Sequence, residues 1–352
     1  MYKNILILNL RKIGDTIMAT AAAYLLKKAY PKARITMLVK PLTRSIVENN
    51  PVIDEVMLYD YAHKAKIEDI KKAARQLKAR NFDLAVVIDG KPRSAMLAWL
   101  AGIPRRAGFE HITLRNIYLK LFYTDLIKID YDAMAVQQVK NHEIFINKLT
   151  GRSDKAKMVM PDVNAAGRKK VQQLLQKLPK GSLKIALCIR SGIEFKDWPM
   201  DNFLKVVRAL NAKYKACFFI VGAKGDITYA EKFRQKSGLA DVYDFCGQTS
   251  LPELGYLLKS ADFMLSVDTG TAHIAAAQNV PEVVVFAGTS HEHWAPYGSC
   301  VSTVQPQMPC YPCDDKTRRQ CSRRDDRFPC LQNIDVEKVI SLCSEKIDSL
   351  KG

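Results

Sequence analysis

The sequence predicts an α/β protein built as two doubly wound, parallel-sheet domains facing a cleft. Three observations predict it. Short apolar, β-branched runs alternate with helix-period segments along almost the whole chain, which is the pattern of repeated βαβ units. The alternation breaks near Met160 and Pro161 and then begins again. The chain has 352 residues, more than one compact core usually holds. The expected division is therefore 1–160, 161–334, and a terminal helix over 335–352 that can pack on either half, including back on the first.

In the first half, KNILIL, RITMLV, EVMLY and LAVVID read as strands. Between the first two, Thr16 to Lys28 places Ile17, Ala21 and Leu25 on one helical face, with Pro31 just past the end. Residues 67–79 repeat the pattern with Ile67, Ile70, Ala74 and Leu77. The second half opens with a helix striped by Val171, Leu174, Leu175 and Leu178, then the turn PKGS and the strand KIALCIR. ACFFIVG, FMLSV and EVVVFAG follow as strands. The last helix, Asp335 to Leu350, aligns Val336, Val339, Ile340, Cys343 and Ile347.

Composition narrows the class. Hydrophobic residues form 48% and charged residues 26% of the chain, which excludes a disordered protein. No apolar run approaches the ~18 residues of a membrane span. The start, MYKNILILNLRK, lacks a signal-peptide cleavage region, so a cytoplasmic location is expected. The 54 Lys and Arg against 36 Asp and Glu give +18, a field that favours an anionic partner. Residues 1–160 carry 28 basic and 15 acidic side chains, and 161–352 carry 26 and 21, so the anion belongs with the first half. Nucleic acid is not expected, because a basic strip interleaved with stacking aromatics is missing and aromatics are only 9% and scattered.

Open α/β sheets bind ligands beyond the carboxyl ends of their strands, and three segments there carry chemistry. In NLRKIGDTIMATAA, Asp15 stands where a helix begins. Its spacing alone favours an N-cap; at a cleft rim the same carboxylate can act as general base toward a hydroxyl. In SVDTGTAHIAAA, Asp268, Thr269, Gly270, Thr271 and His273 lie between a strand and a helix. Glycine there permits close backbone approach, and the helix start favours an anion such as a diphosphate. In CIRSGIEFKDWP, Ser191 and Gly192 form a turn before Lys196, whose ammonium can meet a diphosphate as a mobile point charge. VGAKGD ends on Asp226, a carboxylate able to bind ribose hydroxyls. No GxGxxG or GxxxxGK[ST] sequence is present, so neither a simple dinucleotide fingerprint nor a P-loop is supported.

Together, RKIGDTIMATAA, AGIPRRAGF, RSGIEFKDWP, VGAKGD and VDTGTAHIAAA resemble glycosyltransferase family nine, the lipopolysaccharide heptosyltransferases, over nearly the whole chain. The resemblance implies a GT-B fold with an acceptor-binding first domain and a nucleotide-sugar-binding second domain. It also implies an inverting, metal-independent transfer from ADP-heptose to the lipopolysaccharide core, at the inner membrane surface. Position by position, it makes Asp15 the catalytic base and Lys196 the contact to the donor diphosphate. Ser191 and Gly192 precede that lysine, Asp226 faces the donor ribose, and Asp268, Thr269, Gly270, Thr271 and His273 form the donor-binding turn. Arg93, Arg105 and Arg106, in the basic half, are candidates for phosphates or acidic sugars of the acceptor.

Cys310, Cys313, Cys321 and Cys330 follow the spacing C-x2-C-x7-C-x8-C. That spacing can hold a four-thiolate zinc, and reduced, unliganded thiols are the competing reading. No cofactor is expected in the chemistry. Two other functions remain open at this point: a nucleotide-sugar epimerase on a similar two-domain fold, and a non-enzymatic nucleic-acid binder using the positive charge.

Overall fold

The structure is a computed structural model that describes residues 2–60, 67–109, 120–128, 132–313, 315–321 and 328–350. It divides into two units, Met1–Asp162 and Val163–Gly352.

The first unit runs β1 (Asn4–Asn9), α1 (Ile13–Ala29), β2 (Arg34–Val39), α2 (Arg44–Val47), β3 (Glu55–Leu58), α3 (Ile67–Lys78), β4 (Leu84–Val87), α4 (Pro92–Leu100), β5 (Arg105–Phe109), β6 (Asp125–Ile127) and α5 (Gln138–Thr150). Its strands are ordered β3-β2-β1-β4-β5-β6, and every pair is parallel. β1 and β4 read as continuous apolar runs because helices cover both faces of a parallel sheet. The strand order reverses between β1 and β4, so the turns after Asn9 and Val87 open at the crevice where such sheets bind ligands.

Two helices differ from the sequence expectation. α1 begins at Ile13, ahead of the expected Thr16, and is buried almost all round from Thr16 to Ala23. It packs between the sheet, α2 and α5, and its alanines let those neighbours approach. In α3, Ala73, Ala74 and Leu77 face the core, whereas Ile67 is left 72% exposed at the helix start.

The second unit runs α6 (Ala165–Leu175), β7 (Lys184–Cys188), α7 (Met200–Tyr214), β8 (Cys217–Ile220), α8 (Ile227–Ser237), β9 (Val242–Asp244), α9 (Leu251–Leu258), β10 (Phe263–Val267), α10 (Gly270–Ala277), β11 (Glu282–Val285), α11 (His291–Trp294), β12 (Val301–Val304), α12 (Asp315–Cys321), α13 (Cys330–Asn333) and α14 (Val336–Asp348). The strand order β12-β11-β10-β7-β8-β9, again all parallel, repeats the topology of the first unit. Its reversal falls between β7 and β10, the strands that lead to Ser191 and Asp268. The core gathers Ile185, Leu187, Phe218, Phe263, Leu265 and Val283 under α7 and α14. α14 lies in this unit: Asp335 caps it by accepting from the Glu337 and Lys338 amides, and Val339, Cys343 and Ile347 are fully buried in that core.

Candidate active site

In the first unit, Asp15 occupies the first turn of α1. It is not the cap. Lys12 holds that position and makes no side-chain capping bond, so the carboxylate is left for other partners. Arg11 Nε stands 3.8 Å from Asp15 Oδ1, with the two side chains 39% and 22% exposed. The turn carrying both is tied across the strand-order reversal to Asp89, a residue that sequence reasoning misses. Asp89 Oδ2 accepts from the Leu10 amide at 2.9 Å and from Ser94 Oγ at 2.7 Å, and its Oδ1 accepts from the Lys91 amide at 2.9 Å. Arg11 Nη2 donates to the Asp89 carbonyl at 3.0 Å. Burial pushes the Asp89 carboxyl above its ordinary value, against the opposing hydrogen bonds from Ser94, Leu10 and Lys91. At the foot of α1, Asn9 Nδ2 donates to Thr16 Oγ1 and the Thr16 hydroxyl donates to the Lys12 carbonyl. The only sequence signal for Asp89 is its place at the end of LAVVID.

The three candidate arginines separate. Arg93 is half-buried in the first turn of α4, beyond the carboxyl end of β4. Arg105 and Arg106 begin β5, whose register sets Arg105 against Leu84 and Leu84 against Ile5. They therefore sit at the opposite end of the sheet from Asp15. Arg105 pairs with Asp125 on β6. Arg106 donates from Nε to the Phe122 carbonyl at 2.7 Å and from Nη1 to the Ile103 carbonyl at 2.6 Å. Both guanidiniums thus serve the edge of the sheet.

In the second unit, the structure brings Lys196 and Asp268 together. Lys196 Nζ donates to Asp268 Oδ2 at 2.5 Å, and Thr289 Oγ1 donates to the same oxygen at 2.5 Å. Asp268 is buried and the lysine side chain is 17% exposed. Two residues on, α10 begins, preceded by Thr269 in extended conformation and with no side-chain capping bond. No side chain of Asp268 or Thr269 caps α10; the Ala272 amide donates to the Thr269 carbonyl at 3.2 Å, and the start of the helix favours an anion. The buried Cys188 thiol donates to the Arg190 carbonyl at 3.5 Å, and burial pushes that thiol up to about 12. His273 is buried in the same first turn.

The turn after β7 is organised by Asp197, a second residue that sequence reasoning misses. Its Oδ1 accepts from the Ser191 amide and from Ser191 Oγ, each at 2.6 Å, and its Oδ2 accepts from Arg190 Nε at 3.2 Å. Ser191 Oγ also accepts from the Ile193 amide at 3.0 Å, so this hydroxyl is engaged within its own loop. Gly192 follows at φ 74°, in the left-handed region that favours glycine. The loop leads into the short 3-10 turn Glu194–Lys196. Arg190 extends the network, lying 3.8 Å from Asp226 Oδ1 and over the Tyr229 ring. Asp226 Oδ2 accepts from the Ala223 amide at 2.8 Å and closes its own turn.

The four clustered cysteines line one cavity of about 170 Å³ together with Phe195, Gly288, Arg318 and Phe328. Burial first, and the neighbouring Cys313, Cys321 and Cys310 after it, push the Cys330 thiol up to about 11. Among the described residues, no three His, Cys, Asp or Glu side chains are already gathered as a metal-binding group. No helix of the described residues is long and apolar enough to cross a membrane.

Comparison with known proteins places this geometry in a family. Residues 70–322, more than half of the chain, match Glycosyltransferase family 9 (heptosyltransferase). The chain is 25% identical over 292 residues to a lipopolysaccharide heptosyltransferase 3 of Escherichia coli, covering 81% of this chain and 84% of that protein. It is 26% identical over 307 residues to the lipooligosaccharide heptosyltransferase 2 of Haemophilus ducreyi, covering 83% and 85%. Among solved structures, a family 9 glycosyltransferase from Veillonella parvula superposes with TM-score 0.84 at 19% identity, covering 99% of this chain and 98% of that one. An E. coli heptosyltransferase solved with ADP superposes with TM-score 0.73 at 19% identity, covering 97% and 99%. The fold is of the GT-B type, and the epimerase and nucleic-acid readings give way to a transferase. The chain is a member of glycosyltransferase family 9, the heptosyltransferases.

Proposed function

We propose that this enzyme transfers heptose from ADP-heptose to an inner-core lipopolysaccharide acceptor, with inversion at the anomeric carbon. The observation that carries the reading is the Lys196–Asp268 pair beside the uncapped start of α10. An ammonium held by a buried carboxylate and a helix start without a side-chain cap form one anion site at the strand-order reversal of the second sheet. The donor's diphosphate is the anion that such a site receives. As the sugar leaves, negative charge grows on ADP, and Lys196 with the amides near Thr271 stabilises it.

Asp15 is the general base that takes the acceptor hydroxyl proton as that oxygen attacks. Outside any capping role and partly exposed, it is available to a substrate. Arg11, beside it, and Arg93, on the neighbouring strand-end turn, are placed to meet anionic groups of the acceptor. Arg105 and Arg106 contribute to the positive field of the first unit. Asp226 and His273 border the donor turn, with Asp226 reaching the nucleotide ribose and His273 supporting the first turn of α10. Ser191 and Gly192 shape the loop that delivers Lys196. No metal is assigned a part in the chemical step.

An acceptor anchored by its lipid requires the enzyme to work in the cytoplasm at the inner face of the membrane. The +18 charge supplies attraction to that anionic surface. The deciding experiment incubates the enzyme with ADP-heptose and truncated lipopolysaccharide acceptors and analyses the saccharide by mass spectrometry. A single added heptose with release of ADP supports the reading. ADP release without a glycosylated acceptor, or no reaction on any core acceptor, rejects it.

A further inference from the structure

We propose that Cys310, Cys313, Cys321 and Cys330 bind one zinc ion, and that its occupancy fixes Phe195 and thereby tightens the donor site at Lys196. The second half of the proposal rests on the donor reading given above.

The donor set fits the ion. Four sulfurs in a C-x2-C-x7-C-x8-C arrangement are the ligand chemistry of closed, tetrahedral structural zinc, and all four line the same cavity. The backbone around them is shaped for thiolates. Phe328 stands at φ 56°, a conformation that costs a bulky residue, and from it the amide donates to Cys321 Sγ at 3.2 Å. The Cys313 amide donates to the Gly288 carbonyl at 2.9 Å, which ties the second cysteine to the turn after β11. Arg318 lines the cavity too, and its positive charge complements the two negative charges that four thiolates leave on a bound divalent ion.

The connection to the donor site runs through Phe195. Its ring lies 6.1 Å from the Phe328 ring, and the Arg318 guanidinium sits over it at 4.9 Å. Gly288 lies against it: a Cβ at that position would meet Phe195 Cδ2 at 2.9 Å. Phe195 is the residue before Lys196, inside the same 3-10 turn. The cavity wall and the diphosphate lysine are therefore neighbours along one short turn. The four thiols line one cavity but are not gathered as a metal-binding group among the described residues, so zinc would draw the sulfurs together. Each ligating thiol gives its proton to the buffer. That contraction closes the cavity on Phe195 and restricts the turn that delivers Lys196, so less ordering remains to be done when the nucleotide binds.

The test uses the full chain, kept reduced, with zinc(II) as the probe. Metal content by elemental mass spectrometry, and ADP affinity by calorimetry, are measured before chelation, after chelation and after zinc is restored. The expected result is one zinc per chain, lost in Cys310→Ser/Cys313→Ser. ADP binding should weaken at least about fivefold without the metal, the lower end of ordinary coupling between sites, and recover on re-addition. Phe195→Ala should retain zinc while its ADP affinity no longer depends on it. Circular dichroism of the chelated protein separates loss of coupling from loss of fold. Failure to take up zinc, or uptake of iron in its place, overturns the zinc site. Zinc uptake with unchanged ADP affinity, or a metal effect that persists in Phe195→Ala, overturns the coupling. If the zinc-loaded protein binds no ADP at all, the donor reading falls and the coupling falls with it, while the metal count still judges the site.

Discussion

Lys196 and Asp268 form the most enclosed ion pair among the described strand-end turns of the second unit: Nζ lies 2.5 Å from Oδ2, and the side chains are 17% and 6% exposed. Thr289 Oγ1 donates to the same oxygen at 2.5 Å and helps to hold the carboxylate in place. The ammonium sits at the end of a flexible stem and can turn toward a second anion without losing the first.

Lys196→Met tests that arrangement. It leaves Asp268 with the Thr289 hydroxyl and no cation, which should cost about 3 kcal/mol of stability. ADP affinity should fall at least about tenfold, because the charge aimed at the diphosphate is gone. Asp268→Ala should also weaken ADP binding, by freeing the lysine from its place. Calorimetry with ADP reads both, and unchanged affinity in either variant would remove that residue from the donor site.

Asp197→Ala tests a residue that sequence alone does not single out. The change strips three hydrogen bonds from the loop after β7, two of them from Ser191. With hydrogen bonds to a charged group contributing about 1.5–3 kcal/mol each, the melting temperature should drop clearly and ADP affinity should fall. Asp197→Asn keeps an acceptor oxygen and should lose less. An Asp197→Ala protein with normal ADP binding would show that the loop's shape is irrelevant to the donor.

The architecture is legible in the sequence because its central strands are apolar throughout. LAVVID, FMLSV and EVVVFAG announce buried parallel strands, and the glycine- and hydroxyl-rich turns beside them announce a ligand. The short, partly exposed strands are less legible. β6 has three half-buried residues, β9 is three residues long, and β5 opens on two arginines; such segments carry no periodicity. Asp89 and Asp197 escape notice for a related reason. A carboxylate that binds backbone amides across a turn has no partner at a fixed spacing, so only the folded chain reveals it. Arg105 and Arg106 show the converse: charge and position in the basic half suggest an acceptor contact, and the strand register places them at the other end of the sheet.

Glu282 gives a pH prediction away from the active site. It begins β11 fully buried, and among the described residues neither carboxyl oxygen has a hydrogen-bond partner. Burial raises its pKa well above the ordinary 4.5, and only Lys346 opposes that shift. The folded state therefore holds this proton where the unfolded state has lost it. Stability should be greatest below pH 4.5 as far as this group is concerned, and should decline as pH rises from there through the raised value. Glu282→Met should flatten that decline and raise stability at neutral pH by about 1 kcal/mol or more. Denaturant unfolding of both proteins across pH checks it; identical pH profiles would show that this carboxyl is not buried in solution.

The central claim is that Asp15 takes the proton of the acceptor hydroxyl during heptosyl transfer. The direct test is turnover of Asp15→Asn with ADP-heptose and a core acceptor, alongside its ADP affinity and melting temperature. Because Lys12, and not Asp15, stands at the cap of α1, the amide should leave the fold intact, and ADP should bind as before through the second unit. Turnover should fall by about 10²-fold or more, the range in which a positioned base acts. Near-normal turnover in a folded, ADP-binding Asp15→Asn enzyme would contradict the account.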